Sequence, residues 1–530
     1  MGAAYDAINR TFKSTCRVVF GKELGELTDY EGWLSEHTGS LREEKSASSG
    51  KKVCLGINDY CKGACFASFE ELDFEKKFQP ICLNEAKDID SILGALKERL
   101  CYTGNVILGN SKFIEASANV IDSHYVFGSA IVSDSKHIAY SKFIRSSEYE
   151  FGTYGDGNSS HIMRCSDGYK NMRCFECHSC ANLSDCYYCN RCQNCQNCMF
   201  CFGARNKQYA IGNQEMPKEK YLAIKARLLS EMALKLEKGK SIFSLFDIVQ
   251  SCSDLPMETK LEGTGQKQEG KSTLPIEKAF SRTSSLLLGR ELSGIDSYSK
   301  FLLKHVYVDM AAKSAFSNQQ VLFTGYLAPI FKSYNVKDRA ATEGELEKVG
   351  KLAIGTEKAE SVSLDLGVLA NVLNRVCFIS LDNQVGENIN LIDCSNYHYS
   401  ESCYKASAVV YSKKCAYSWW ARHSENMFGS CATWESSFCM RAFYSNRLTR
   451  AFEVDSCEKS SDIYFSHNCE NMQDAMFCFN AKNLKRAIGN APIEPSKYSQ
   501  IKKSLLSQIA GELERKKDVS LDIYNIGCYR

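Results

Sequence analysis

Nine cysteines, Cys174, Cys177, Cys180, Cys186, Cys189, Cys192, Cys195, Cys198 and Cys201, fall on a three-residue beat. Three chemistries are open to them. Stacked thiolates suit a soft metal such as Zn²⁺ or Cu(I). Thiols facing one another across about 4.4–6.8 Å of Cα separation, such as Cys174 and Cys180, could pair as disulfides. A small apolar residue could also simply fill a space too tight for valine. Zinc requires a tetrahedral set closed by turns, which an unbroken beat does not supply. The second half of the chain carries the same beat as Ser460, Ile463, Ser466, Cys469, Met472, Ala475 and Cys478. Other small groups therefore replace the thiols, and filler is the preferred reading. No metal site is favoured, and if one exists its ligands are those nine cysteines.

Other chemistry is sparse. His161, His178 and His467 fall at outward positions, and no carboxylate pair recurs in both halves. The Gly21 segment GKEL lacks GxxxxGK[ST] and is no phosphate loop; its duplicate at Gly289 suggests a helix start after a tight turn. No catalytic residue and no cofactor site is assigned.

The elements that hold the cysteines follow from the beat. It continues upstream through Ser111, Ile114, Ser117, Val120, Ser123, Val126, Ser129 and Val132 to Ser147. A helix repeats near 3.6 residues and a half-buried strand near 2, so three is neither. A narrow β-solenoid that turns inward every third residue fits. Glu150, Asp156 and Asn171 break the small-residue rule in the first tract, and none of the seven prolines lies in either tract. Inward serine hydroxyls must then reach backbone carbonyls. Outward residues set the lap. Phe127, Ala139, Phe151, Met163, Phe175, Tyr187 and Met199 are spaced by twelve, and reappear 277 residues on as Tyr404, Ala416, Phe428, Met440, Phe452, Tyr464 and Met476. Phe113, Tyr125, His137, Tyr149 and His161 make a second line. Flat residues at equal positions stack as cross-strand neighbours do, giving twelve residues per coil.

The chain reads as written twice. CMFCFGARNKQYAIGN at 198–213 matches AMFCFNAKNLKRAIGN at 475–490, and FGKELGELTDY from Phe20 matches LGRELSGIDSY from Leu288. Such self-similarity marks a tandem duplication. The expected organisation is a mixed α/β head over 1–110, a β-solenoid over 111–213 and a closing helix with its following segment over 214–254. A linker follows over 255–277, then a second head over 278–387, a second solenoid over 388–490, and a closing helix and tail over 491–530. The fold class is mainly β with accessory helices.

The in-out-out pattern with Cys, Ser and Ala inside resembles the twelve-residue-coil β-helix of beetle antifreeze proteins. Their Thr-x-Thr ice face is absent here, so ice binding is not implied. The segment CNRCQNCQNCMFCFGARNKQYAIGNQEMPKEKY, from Cys189 to Tyr221, resembles uncharacterised cysteine-rich proteins of uncultured bacteria. The paired CxxC knuckles of their heads are missing, since Cys54, Cys61, Cys65 and Cys82 are irregularly spaced. That resemblance implies no activity.

Bulk properties narrow the partners. With 65 basic against 63 acidic residues, no basic excess points to nucleic acid. No apolar run is long enough to span a membrane, and the first residues carry no signal-peptide pattern. Synthesis in the cytoplasm is therefore expected, with reduced thiols. The expected role is a non-enzymatic structural or assembly subunit of a virus particle, surface layer or other large complex. It would self-associate or bind protein partners through flat faces carrying Tyr187, Tyr188, Phe200, Trp419 and Trp420. The alternatives are a thiol-rich metal-binding or redox protein, and a β-helix enzyme of the acyltransferase or lyase kind.

Overall fold

The computed structural model describes all residues except 1, 77, 81–87, 262–269, 328–332 and 529–530. The chain is mainly β with accessory helices, and two long ladders dominate it: a 16-stranded sheet between Ile107 and Glu215 and a 13-stranded sheet between Gln384 and Pro492. Short parallel strands pair with the residue twelve positions on. Ile138 faces Glu150, which faces Ile162, which faces Cys174; in the second ladder Cys439 faces Ala451, which faces Ile463.

The cause of the three-residue beat lies in the backbone. From Phe113 to Gly212, and from Asn390 to Gly489, every third residue has φ between about 45° and 70°. It is always the residue just before an inward side chain, so each unit is one extended residue, one left-handed residue and one inward residue. Glycine takes this conformation freely, yet only Gly128, Gly152, Gly155, Gly203, Gly212, Gly429 and Gly489 occupy such positions. Asn and Asp, the next most tolerant types, fill many others, including Asn119, Asp122, Asp134, Asn158, Asn182 and Asn194.

Residues on the inward beat form apolar clusters of their own, distinct from the large outer core. In the first ladder Val120, Val126, Val132, Ile138 and Ile144 make one cluster, and Ile162, Cys165, nine cysteines from Cys174 to Cys201, Leu183, Ala204 and Ala210 another. The alternation of serine with Val or Ile has a hydrogen-bonding reason. Val and Ile sit inside four-residue strands such as Lys112–Glu115 and Ala118–Ile121. Serines sit at the corners between strands, where the inward residue's N–H needs a partner. The N–H of Ser123, Ser135, Ser147 and Ser159 each donates to the serine Oγ twelve residues back, at 3.0–3.1 Å. Each hydroxyl in turn donates to the carbonyl two residues back, as Ser135 does to Ser133 at 2.7 Å.

Helices cover the outward faces. α1 (Ala3–Phe20) sets Tyr5, Phe12 and Phe20 edge-on against Phe127, Phe151 and Phe175. After the first ladder come α2 (Lys218–Gly239) and α3 (Leu245–Ser253). α4 (Leu274–Leu288) lies on the second ladder through Phe280 and Phe428, and α5 (Pro495–Lys516) follows that ladder. Gly21 and Gly289, expected at helix starts, instead end α1 and α4 in the left-handed conformation, with φ of 76° and 71°. A glycine there lets the N–H turn back onto the last turn's carbonyls. The linker expected to be exposed is pinned at its start, because Thr259 is buried and donates to the Arg375 carbonyl at 2.6 Å.

Each head also reaches across to the other ladder. Tyr60, Tyr102 and Thr103 meet Asp455, Phe479 and His467. Conversely, Glu343 pairs with Arg191, and Ser380 N–H donates to Asn190. A disulfide between Cys61 and Cys528 ties this first head to the C-terminal tail, correcting the expectation that all thiols are reduced.

Substitutions at two positions test this backbone account by chemical unfolding. At the exposed Asn158 (φ 57°), Asn158→Val should cost about 1–2 kcal/mol, because a β-branched residue is strained there, whereas Asn158→Gly should be neutral or stabilising. Ser135→Ala orphans the Ser147 N–H and should cost about 1–3 kcal/mol, with Ser135→Cys milder.

Candidate functional site

Polar chemistry concentrates in a buried cluster that occurs once on each ladder. In the first, Arg164 and Glu176 occupy left-handed positions one lap apart. Arg164 Nε donates to Glu176 Oε1 at 2.6 Å, and its Nη atoms reach the Trp33 carbonyl and Glu36 Oε2, the latter at 2.9 Å. Glu176 Oε2 accepts from Leu245 N–H at 2.9 Å and lies 3.0 Å from His178 Nε2. His178 Nδ1 lies 2.7 Å from Ser166 Oγ. Burial alone would raise the Glu176 carboxyl, but Arg164 and the His178 hydrogen bond outweigh it and hold the group well below the usual carboxylate range. His37, against Arg164, is held well below the usual histidine range by burial and by that guanidinium.

Ser166, His178 and Glu176 thus stand in the order nucleophile, base, carboxylate, within the reach acyl transfer requires. No local pattern marks this set, because its members meet only between strands paired twelve residues apart. Yet Ser166 is 1% exposed and His178 and Glu176 are 0% exposed, and the carboxylate is already committed to Arg164. A substrate carbonyl has no route to the hydroxyl, so the arrangement is a structural hydrogen-bond chain.

The second ladder repeats the core of this cluster with different ends. Arg441 pairs with Glu453 and reaches the Phe301 carbonyl, and Glu453 Oε2 accepts from Ile523 N–H at 3.1 Å. In place of the serine chain, Asp455 Oδ2 lies 2.8 Å from His467 Nδ1 and accepts from Tyr60 at 2.8 Å. His467 Nε2 accepts from Thr103 N–H at 3.0 Å. So His178 and His467, expected to point outward, do leave the ladder interior, but heads and helices bury both. His161 alone of the three stays half-buried, at the end of the stack of Phe113, Tyr125, His137 and Tyr149, whose centroids lie 4.4–5.0 Å apart.

All nine cysteines from Cys174 to Cys201 are buried and free. Their thiols take over the serine role: Cys177, Cys186 and Cys192 donate to the carbonyls nine residues on, at 3.3–3.6 Å, and Cys180 Sγ accepts from Cys192 N–H at 3.3 Å. Burial pushes Cys177, Cys186, Cys192 and Cys201 well above the free-cysteine range. No disulfide crosses the interior between Cys174 and Cys180. Among the described residues, no three His, Cys, Asp or Glu side chains gather in metal-ligating geometry. In the heads, Cys54 is buried, Cys65 and Cys101 are partners on adjacent parallel strands, and Cys82 lies outside the described residues.

The aromatic contact face is not where the sequence put it. Tyr187, Tyr188, Phe200 and Trp419 are buried, Tyr187 donating to the Val19 carbonyl and Tyr188 to that of Phe243; Trp420 is half-buried against Phe143. A cleft of about 580 Å³ between α4 and the second ladder is lined by residues such as Lys278, Arg282, Lys414, Glu425 and Phe438, without histidine, cysteine or serine. Among the described residues, no helix is long and apolar enough to cross a membrane. No protein-family model, no curated protein and no solved structure matches the chain.

Removing one partner of a fully buried ion pair leaves an uncompensated charge. Arg164→Met should therefore cost about 3–5 kcal/mol, whereas Arg164→Met with Glu176→Met should recover much of the loss. Thermal unfolding of the three proteins checks this, and equal losses in single and double variants would contradict it.

Proposed function

We propose that each ladder is a narrow β-solenoid of twelve residues per lap, that the chain is a tandem duplication, and that it serves as a non-enzymatic assembly subunit. The carrying observation is the distribution of side chains. Groups able to do chemistry (the Arg–Glu–His clusters and the thiols) are sealed inside, while large apolar groups remain exposed on the first laps. In the second ladder Ile389 is 63%, Tyr411 52% and Tyr399 47% exposed; in the first, Phe113 is 48% exposed. The last laps are closed differently, by antiparallel strands Gln214–Glu215 and Ala491–Pro492. The first laps are covered in part, by Ile107–Leu108 on one ladder and Gln384–Val385 on the other; strand Lys112–Glu115 keeps a partner on one side only among the described residues, and such edges pair with other chains.

The partner on this reading is another copy of the chain, and the virus-particle or surface-layer setting is one in which repeated copies meet. The matched pairs Arg164–Glu176 and Arg441–Glu453, 277 residues apart, support the duplication. Light scattering after size exclusion should find dimers or larger species that revert toward monomer in Ile389→Lys with Tyr411→Lys. A wild-type chain that stays monomeric at high concentration contradicts the role.

A further inference from the structure

The first ladder contains one lap that the fold does not require. Three consecutive inward positions, Glu150, Thr153 and Asp156, carry five oxygen atoms, and all five are buried without a hydrogen-bond partner. The neighbouring hydroxyls are turned toward backbone: Ser147 donates to the Arg145 carbonyl at 3.0 Å and Ser159 to that of Gly157 at 3.3 Å. Asn171 Nδ2 donates one of its two protons to the Cys180 carbonyl, and Oδ1 accepts from Leu183 N–H. The residues facing the two acids carry no charge. Glu150 lies between Ile138 and Ile162, and Asp156 between Ile144 and Gly168.

Gly168 makes the room. A Cβ there would stand 1.9 Å from Asp156 Oδ2, so the aspartate leans into the space of a missing side chain. The second ladder supplies the control. The positions 277 residues on hold Met427, Ser430, Thr433 and Ser445, all buried on the same beat. There Ser430 Oγ accepts from Ala442 N–H at 3.2 Å, whereas the Thr153 hydroxyl makes no such bond. A lap of this shape closes without acids, so the acids serve something other than closure.

We propose that Glu150, Thr153 and Asp156 form an internal site for a divalent cation with oxygen ligands, of the Ca²⁺ or Mn²⁺ class, enclosed when the first ladder folds. Two carboxylates match the charge of one divalent ion, which leaves a neutral lap in an apolar interior. Carboxylate and hydroxyl oxygens are donors that hard cations prefer over thiols. The site is separate from the thiol set considered from the sequence, and it does not depend on the assembly reading.

The test uses the full chain, refolded with Ca²⁺ or Mn²⁺ alone and then dialysed against chelator. Elemental analysis should find one divalent ion per chain, released only on unfolding. Glu150→Met with Asp156→Thr installs the residues that the second ladder already accommodates, and should give a folded, metal-free protein. An ion retained equally by that variant lies elsewhere and overturns the proposal. So does a wild-type chain that stays metal-free after refolding. In that chain burial raises Glu150 well above the carboxylate range, with the Asp156 charge adding to it, and burial brings Asp156 to about 7. Its stability would then be full below the ordinary carboxylate range and fall as pH rises through about 7. An ion-bound chain shows the opposite slope over that range, because the cation needs both carboxylates ionised.

Discussion

A left-handed residue at every third position is the constraint on which the ladders depend. It accompanies strands that stay parallel and in register at a twelve-residue offset. Each such non-glycine residue costs about 1–2 kcal/mol against ordinary backbone. The cost is offset because the corner amides on both sides of the turn are satisfied: Ser146 N–H donates to the Ser133 carbonyl, and Lys142 N–H to that of Thr153, at 3.0 and 2.9 Å. An isolated unit gains none of this, so the conformation holds only where laps stack on laps, as in other repeat architectures.

The same constraint sorts the inward side chains. Inside the strands, ladder bonds leave nothing for a side chain to do, and Val or Ile fills the space. At the corners the inward N–H looks for an acceptor one lap away, and serine provides it. Cysteine is a compromise that suits both places, being apolar enough to bury and able to accept and donate weakly. Cysteine thus occupies every column between Cys174 and Cys201 without forming a bond between thiols. The Arg164–Glu176 and Arg441–Glu453 pairs show what happens at outward positions once helices cover them. There a charge persists only with its partner one lap away and with backbone groups at its remaining valences.

The spacing of Phe151, Met163 and Phe175 was enough to read the twelve-residue register, because stacking neighbours must repeat at the lap length. The backbone cause is also written in the chain, in Asn119, Asp122, Asp134, Asn158, Asn182 and Asn194 at one phase of the beat, since Asn and Asp tolerate the left-handed region best after glycine. The burial of Tyr187, Tyr188 and Phe200 is not legible locally, since a strand pattern carries no sign of the distant segments that cover it. The crossing of each head onto the other ladder left no local trace. Neither did the Ser166–His178–Glu176 chain, whose members meet only once laps are stacked. The repeated Arg and Glu twelve residues apart in both halves did offer a signal for the buried pairs.

The account rests on a closed interior shared by side chains three residues apart. Residue-resolved thiol alkylation of the native, reduced chain tests it most directly, because a thiol reacts only when it is accessible and ionised. Cys65, half-buried in the first head and lowered to about 7 by its hydrogen bond with Cys101, should label readily, while the nine from Cys174 to Cys201 stay silent until the protein unfolds. Rapid labelling of those nine in the folded chain would contradict the account.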